Sequence, residues 1–447
     1  MPNAPRILIV GGGVAGLTLA THLGDHFGEH LGDHPGRHRP HRNQGHAEIT
    51  LVDRSPTHLW KPMLHTIAAG TWDVSQQQLS YVAHASAHRF GYHIGGLAGV
   101  DTALRQVTLA PLIGPDGVEL VGQRKLVYDV LVLAVGSRAN DFGTPGVMQH
   151  CHFIDSQAQA ERFNAVLRGR LLRSVVQDET LRVAIVGGGA TGVELAAELC
   201  SMLDTANSYG NGASHIRERL RLTLLESGPR ILTAFPEHVS RSSAQQLQRL
   251  GVELRMGAKV TAAELEGFRL ADGSLVAADL MVWAAGVVAE GTLGDDTGLP
   301  LTRSRQVVVG PNLQSPADAH VFALGDCASL TPAGRDKPLP PTAQVANQQA
   351  LHLARHLPAW VLHGTPVPPF VFRDLGALVS LSEYNAFGTL GKFGFLKGLF
   401  VQGTFAQLSH AWLYRKHQIG LHGVWHTFVM WLAERLNRRV KPKIRLG

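Results

Sequence analysis

Seven short runs of the chain are apolar at nearly every position, with no polar alternation: RILIV, ITLV, VLVLAV, VAIV, LTLL, LMVWAA and VFAL. Runs of four to six residues are too short for helices. Lacking a polar face, they predict strands buried on both sides, as in a parallel sheet covered by helices. The strand Ile7 to Val10 leads into Gly11, Gly12, Gly13, Val14, Ala15, Gly16 and then a stretch with helical spacing. The strand Val183 to Val186 does the same through Gly187, Gly189 and Gly192, 176 positions later. A third pattern lies near the end. Read as a helix over 418–433, the chain puts Leu421, Val424, Trp425, Phe428 and Leu432 on one face, with His422, His426 and Glu434 away from it.

Gly-x-Gly-x-x-Gly between a strand and a helix has a physical reading. The first two glycines allow a tight turn and close approach of backbone to a pyrophosphate, the third lets helix pack on strand, and the helix N-terminus faces the phosphates. One such loop is weak evidence; two in the same context predict two dinucleotide sites. Each should be followed by an acid at the end of the next strand, to bind a ribose hydroxyl. Asp53 in AEITLVDRS and Glu226 in LRLTLLESG stand there, each about 40 residues past its loop rather than the usual ~20. A carboxylate at 226 binds a 2′-hydroxyl and repels a 2′-phosphate, which favours NADH. YDVLVLAVGS, with Ala134 and Gly136, and ADLMVWAAGV, with Ala285 and Gly286, are expected to close one nucleotide-domain sheet each. In AHVFALGDCAS, Gly325 and Asp326 follow a strand, where a carboxylate can meet a ribityl hydroxyl.

Composition narrows the class. At 447 residues the chain is expected to form two or three domains. A content of 45% hydrophobic and 17% charged residues describes a globular protein. Cys151, Cys200 and Cys327 form no Cys-x-x-Cys pair, which suits a reducing compartment, and the opening MPNAPRILIVGGG leaves no room for a signal peptide. Charge is uneven. Residues 384–447 hold ten Lys or Arg against one acid, Glu434, a net +9, while the rest of the chain is at −3. With Arg435, Arg438, Arg439, Lys441, Lys443 and Arg445 behind an apolar, Trp-bearing face, the end of the chain describes a helix lying on an anionic lipid surface. A core or homodimer contact is the other use of such a stripe. Nucleic acid fits poorly, because large aromatics are not interleaved with the basic cluster. No window is long and charge-free enough to span a bilayer.

The segment GDHFGEHLGDHPGRHR repeats a tetrapeptide, placing His26, His30, His34 and His38 four apart. Its glycines and prolines disfavour a continuous helix, so the imidazoles do not share a face. It reads as an insertion between the first helix and the strand that delivers Asp53, with no metal site implied.

The chain resembles the two-dinucleotide-binding-domain flavoproteins, and within them type II NADH dehydrogenase, the single-subunit NADH:quinone oxidoreductase that pumps no protons. The resemblance runs from Arg6 to the C-terminus. It rests on VDRSPTHLWKPMLHTIAAGT, GGGATGVELAAEL, PPTAQVANQQA, SLSEYNAFGTLGKFGFLKG and the basic C-terminal segment. It implies an α/β fold of two Rossmann-like domains, the second inserted in the first, with a C-terminal amphipathic membrane-docking segment. The expected division is 1–155, 156–300, 301–370 and 371–447. Non-covalent FAD is expected on the first loop with Asp53, Arg54, Lys61, Ala134, Gly136, Gly325, Asp326, Ala343, Gln344 and Lys392. NADH is expected on the second with Glu194, Glu226, Ala285 and Gly286. Glu194, Gln344 and Gln348 are implied in catalysis, with a membrane quinone as acceptor, at the cytoplasmic face of the cell membrane. A sulfide:quinone reductase is disfavoured because three cysteines are its bare minimum and are poorly placed. A non-catalytic flavoprotein that senses NADH or holds metal through its histidines is the remaining alternative.

Overall fold

The computed structural model describes residues 4–27, 46–72, 78–208, 216–289, 297–382, 384–390, 400–402 and 404–440. Lys392, Lys441, Lys443, Arg445 and the histidine repeat beyond Phe27 lie outside them. The chain forms two compact units. One is Met1–Trp60, Gln77–Arg138 and Val287–Phe372; the other is Lys61–Gln76, Ala139–Gly286 and Arg373–Gly447.

The first unit is built on a five-stranded parallel sheet in the order Val321–Ala323, Val130–Leu133, Arg6–Val10, Glu48–Asp53, Gly91–Ile94. Ile7, Ile9, Leu51, Leu131 and Phe322 are fully buried, as expected of strands covered on both faces. The helices Val14–Phe27 and Ala343–His363 pack on each other beside this sheet. A three-stranded antiparallel sheet, Leu97–Asp101, Gln106–Leu109 and Arg124–Val127, is inserted between the strands Gly91–Ile94 and Val130–Leu133.

The second unit repeats the plan. Its parallel sheet runs Cys151–His152, Leu280–Trp283, Leu181–Val186, Leu220–Glu226, Glu253–Met256. Its antiparallel insertion is Val260–Glu264, Gly267–Leu270, Leu275–Ala277. In both sheets the strand that enters the glycine loop is central, which places the loop where the strand order reverses, the ligand-binding crevice of open α/β sheets.

Three expectations change. Val130–Leu133 and Leu280–Trp283 do not close their sheets: each pairs directly with the glycine-loop strand, and a further strand, Val321–Ala323 in the first sheet and Cys151–His152 in the second, forms the edge. Cys151, inside the expected first division 1–155, begins the edge strand of the second sheet. The helix expected over 418–433 belongs to Thr404–Val440 and breaks at Gly423 (φ 76°, ψ 169°), a backbone region open in practice to glycine alone. The break separates Leu421, which is buried, from Val424, Trp425, Phe428 and Leu432, which are exposed, so the five do not form one face. The exposed stripe after the break gains Val429, Trp431 and Leu436 instead. Trp425, Phe428 and Trp431 stack along it, with the Arg435 guanidinium 5.4 Å over the Trp431 ring. Among the described residues no helix is long and apolar enough to cross a membrane.

Candidate functional site

In the first unit the backbone turns sharply at Gly11 (φ 108°), where an added Cβ would lie 2.2 Å from the Ala134 carbonyl oxygen. A Cβ on Gly16 would lie 1.8 Å from the Gly11 oxygen, so only glycine lets the helix Val14–Phe27 start this close to the strand. A Cβ on Gly13 would meet nothing within 4 Å. The loop is therefore tight toward the protein and open at its outer edge, the shape a pyrophosphate requires. Asp53 closes the second strand. One of its carboxylate oxygens accepts the Gly12 amide at 2.6 Å and the other the Ser55 amide at 2.8 Å. Arg54 follows it on the same unit.

The Gly12 carbonyl is gripped from behind: the Tyr81 hydroxyl donates to it at 2.6 Å and His58 Nδ1 lies 2.9 Å away. Burial, with Asp53 nearby, pushes the Tyr81 phenol well above its ordinary range, so it stays a donor. Gly325 (φ 66°) packs against Ala346 and Ala15, and its amide donates to the buried Gln349 side chain at 2.7 Å. This fixes Asp326, whose Oδ2 accepts the Ser137 hydroxyl at 2.8 Å. Beside it lies a cavity of about 330 Å³ lined by Ser137, Gln306, Asp326, Lys337 and Leu339, among others. Ala343, Gln344 and Gln348 sit on the helix Ala343–His363, Gln344 and Gln348 half-buried. Thr342 caps that helix by accepting the Val345 amide.

The second unit reproduces this loop. Gly187 (φ 110°) approaches Ala284, Gly192 would place a Cβ 2.1 Å from the Gly187 oxygen, and Gly189 is open. Glu226 accepts the Gly188 amide at 2.7 Å and the Gly228 amide at 2.6 Å. Arg230, the cation nearest in sequence, is occupied by the carbonyls of Leu232, Thr233 and Phe235. Ala285 and Gly286 follow the strand Leu280–Trp283, and the ring of Phe142 lies against Gly286, where a Cβ would come within 2.4 Å of it.

Glu194, in the first two turns of the helix Ala190–Ser208, is buried. Its Oε1 accepts the Ser380 amide at 3.1 Å, and Oε2 is 3.6 Å from His65 Nδ1. Burial, against that amide and reinforced by Glu198, pushes its carboxyl up to about 8. The structure thus gathers Gly11, Gly12, Gly13, Val14, Ala15, Gly16, Asp53, Arg54, Ala134, Gly136, Gly325, Asp326, Ala343, Gln344 and Gln348 in one unit. Gly187, Gly189, Gly192, Glu194, Glu226, Ala285 and Gly286 fall in the other, as does Lys61, which opens the segment Lys61–Gln76. Sequence reasoning missed His58, Tyr81, Ser137, Gln349, His65 and Glu198. Each is an ordinary residue type whose partner is far away in the chain.

At all three cysteines burial disfavours the thiolate, the form that acts as a nucleophile. Burial pushes Cys327 up to about 11 and Cys151 up to about 12, and raises Cys200. No group of three metal-ligating side chains occurs among the described residues.

The family model of the pyridine nucleotide-disulphide oxidoreductases matches residues 5–350. A type II NADH:quinone oxidoreductase of Haemophilus influenzae is 40% identical, over 99% of this chain and 99% of its own. One from Staphylococcus saprophyticus is 25% identical over 86% of this chain and 89% of its own. Among solved structures, NDH2 from Plasmodium falciparum in complex with NADH superposes with a TM-score of 0.79 at 17% identity, covering 99% of this chain and 100% of that one. The sulfide:quinone oxidoreductase of Aquifex aeolicus gives 0.69 at 17% identity, over 94% and 92%. These two likenesses concern the fold alone. The full-length match at 40% identity, together with two glycine loops that each carry a carboxylate braced on the loop amide, decides the family: the chain belongs to the type II NADH:quinone oxidoreductases, within the pyridine nucleotide-disulphide oxidoreductases.

Proposed function

We propose that the protein oxidises NADH and reduces a membrane quinone through non-covalently bound FAD, without pumping protons. The observation that carries this reading is the doubled loop, each copy with an open outer glycine and an acid held on its amide. FAD, when bound, accepts a hydride from NADH and passes two electrons on to the quinone. The first unit's loop fits the diphosphate of that cofactor. Gly11, Gly12 and Gly13 let backbone approach without side chains, the Gly11 and Gly12 amides being held by Val52 and Asp53; Asp53 offers a ribose acceptor, Arg54 a charge beside it, and Asp326 an acceptor for the ribityl chain. Ala134, Gly136, Gly325 and Ala343 bring bare backbone close, while Gln344 and Gln348 offer amide donors. Lys61 and Lys392 complete this set of expected contacts.

On the second unit, Gly187, Gly189 and Gly192 take the NADH diphosphate, and Ala285 and Gly286 leave room for the nicotinamide half. Glu226 accepts from the ribose 2′-hydroxyl and disfavours a 2′-phosphate. A quinone gains two electrons and two protons, and the hydride brings both electrons but only one proton. The second must come from an acid or water. Glu194, buried and protonated at neutral pH, is suited to supply it.

The exposed stripe Val424, Trp425, Phe428 and Leu432, followed by Arg435 and the basic end of the chain, suits docking of the last segment on anionic lipid. We assign the protein to the cytoplasmic face of the cell membrane as a peripheral enzyme. A homodimer through the same stripe is the competing use of that surface.

The test is direct. The purified protein should be yellow, should bleach with NADH under anaerobic conditions, and should regain its colour on addition of a soluble quinone. A flavin that stays reduced in the presence of quinone would refute the reading.

A further inference from the structure

The helix Ala190–Ser208 carries two buried acids one turn apart, Glu194 and Glu198, exposed by only 9% and 7%. Two carboxylates so placed cannot both ionise cheaply. The second unit surrounds them unequally. Glu198 Oε1 is the nearer acceptor of the Thr71 hydroxyl, which also lies 3.2 Å from the Thr66 carbonyl, and a hydroxyl donor favours the charged form of the acid it meets. Glu194 has a backbone amide on Oε1 and the ring of His65, itself 5% exposed, on the side of Oε2. His65 and Thr71 both come from the segment Lys61–Gln76, whose helix Leu64–Ala69 packs on Ala190–Ser208.

We propose that Glu198, clamped by Thr71, is a positioning residue for Glu194: a carboxylate one turn away on the same helix disfavours a second charge beside it, while the Ser380 amide fixes Glu194 Oε1 and the His65 ring lies beside Oε2. The proposal rests on the reading of Glu194 as the acid that serves quinone reduction. Several charged groups on the elements around this helix pair elsewhere. The strand Gly376–Leu381 packs against it and brings no titratable side chain. Arg217, from Ile216–Arg219, lies 3.5 Å from Asp204 and donates to the Cys200 carbonyl, toward the far end. On the adjoining strands, Arg182 pairs with Asp279 and Glu226 takes the two loop amides. Among the described residues, His65 thus neighbours Glu194 from another element and Glu198 from its own.

The direction of the effect follows. Glu194 keeps its proton in the native state up to about pH 8, whereas the unfolded chain releases it near 4.5. The native state therefore binds more protons across that window, and stability is lost as pH rises through it. Glu198→Gln keeps the shape and an acceptor for Thr71 but removes the charge. It should end the fall of Tm with pH earlier, by roughly one pH unit. Thr71→Val should move it the same way and Thr71→Ser should restore it, while Glu194→Gln should remove this component of the slope.

The experiment records Tm against pH for the flavin-loaded protein and, on the same samples, the alkaline limb of quinone-dependent kcat. An E198Q profile that coincides with wild type in Tm overturns the proposal, whatever happens to turnover. If E198Q moves the Tm profile as expected while E194Q leaves kcat and its pH dependence unchanged, the positioning stands and the catalytic reading of Glu194 fails. Both limbs moving together supports both.

Discussion

Replacing the third glycine of either loop by alanine separates the two nucleotide sites experimentally. In Gly16→Ala the new Cβ would sit 1.8 Å from the Gly11 oxygen, and in Gly192→Ala 2.1 Å from the Gly187 oxygen. Both obstacles are backbone, so no rotamer change relieves them. Restoring ordinary contact requires helix and loop to part by roughly 1.3–1.6 Å. Overpacking of this kind costs about 1–3 kcal/mol. A shift of that size also breaks the Gly12 amide bond to Asp53 at 2.6 Å, or the Gly188 bond to Glu226 at 2.7 Å; a hydrogen bond to a charged group contributes about 1.5–3 kcal/mol. Charged against nucleotide binding, the sum of about 2.5–6 kcal/mol weakens affinity by about two to four orders of magnitude. Gly16→Ala should therefore leave the column with little flavin, read from the ratio of flavin to protein absorbance. Gly192→Ala should keep its flavin and show a steeply raised KM for NADH. Full flavin occupancy in G16A, or the two phenotypes exchanged, would refute the assignment of the loops.

Glu226→Gln should lower the preference for NADH over NADPH, measured as the ratio of kcat/KM values, chiefly by losing repulsion. Because Arg230 is tied to three carbonyls, no strong gain in NADPH affinity should accompany it. Iodoacetamide at pH 7.5 should leave turnover intact, since Cys327 and Cys151 hold their protons to about 11 and 12; reaction should rise only as pH climbs toward those values, and rapid inactivation at neutral pH would contradict the burial argument. Trp425→Glu with Phe428→Glu should abolish co-sedimentation with anionic vesicles and preserve NADH oxidation by a soluble acceptor. Exchanging His30, His34 and His38 for serine should leave flavin content and turnover unchanged. The helix they follow is 14 residues long, which puts its end ~20 Å from the glycine loop, and a large loss of activity would show that distance to be irrelevant.

The glycine loops were legible in the sequence because their constraint is local. A φ of 108° or 110° and a backbone oxygen within about 2 Å of a Cβ position exclude other residues whatever the rest of the chain does. The acids Asp53 and Glu226 were legible for a similar reason, each ending an apolar run that reads as a strand. What stayed hidden is the layer behind them. Ser137 and Asp326 are 189 residues apart and Thr71 and Glu198 are 127 apart, and neither pair carries a spacing that a single sequence displays.

The C-terminal helix shows a different failure, since its signal was present and outvoted. Apolar spacing runs smoothly through Gly423, so periodicity favoured one face where the backbone breaks. The consequence reaches the charge pattern. Arg415 Nη1 meets Glu434 Oε1 at 3.1 Å. A straight helix would hold residues 19 apart at ~28 Å, so this contact exists because the chain folds back at Gly423. The ion pair is largely shielded, with side-chain exposures of 19% and 11%, and removing one partner would leave the other charge poorly solvated. Counting charges treats Glu434 as a minor offset to a basic tail. Its position instead pairs it with Arg415 across the break at Gly423, while Trp425, Phe428 and Trp431 stay exposed.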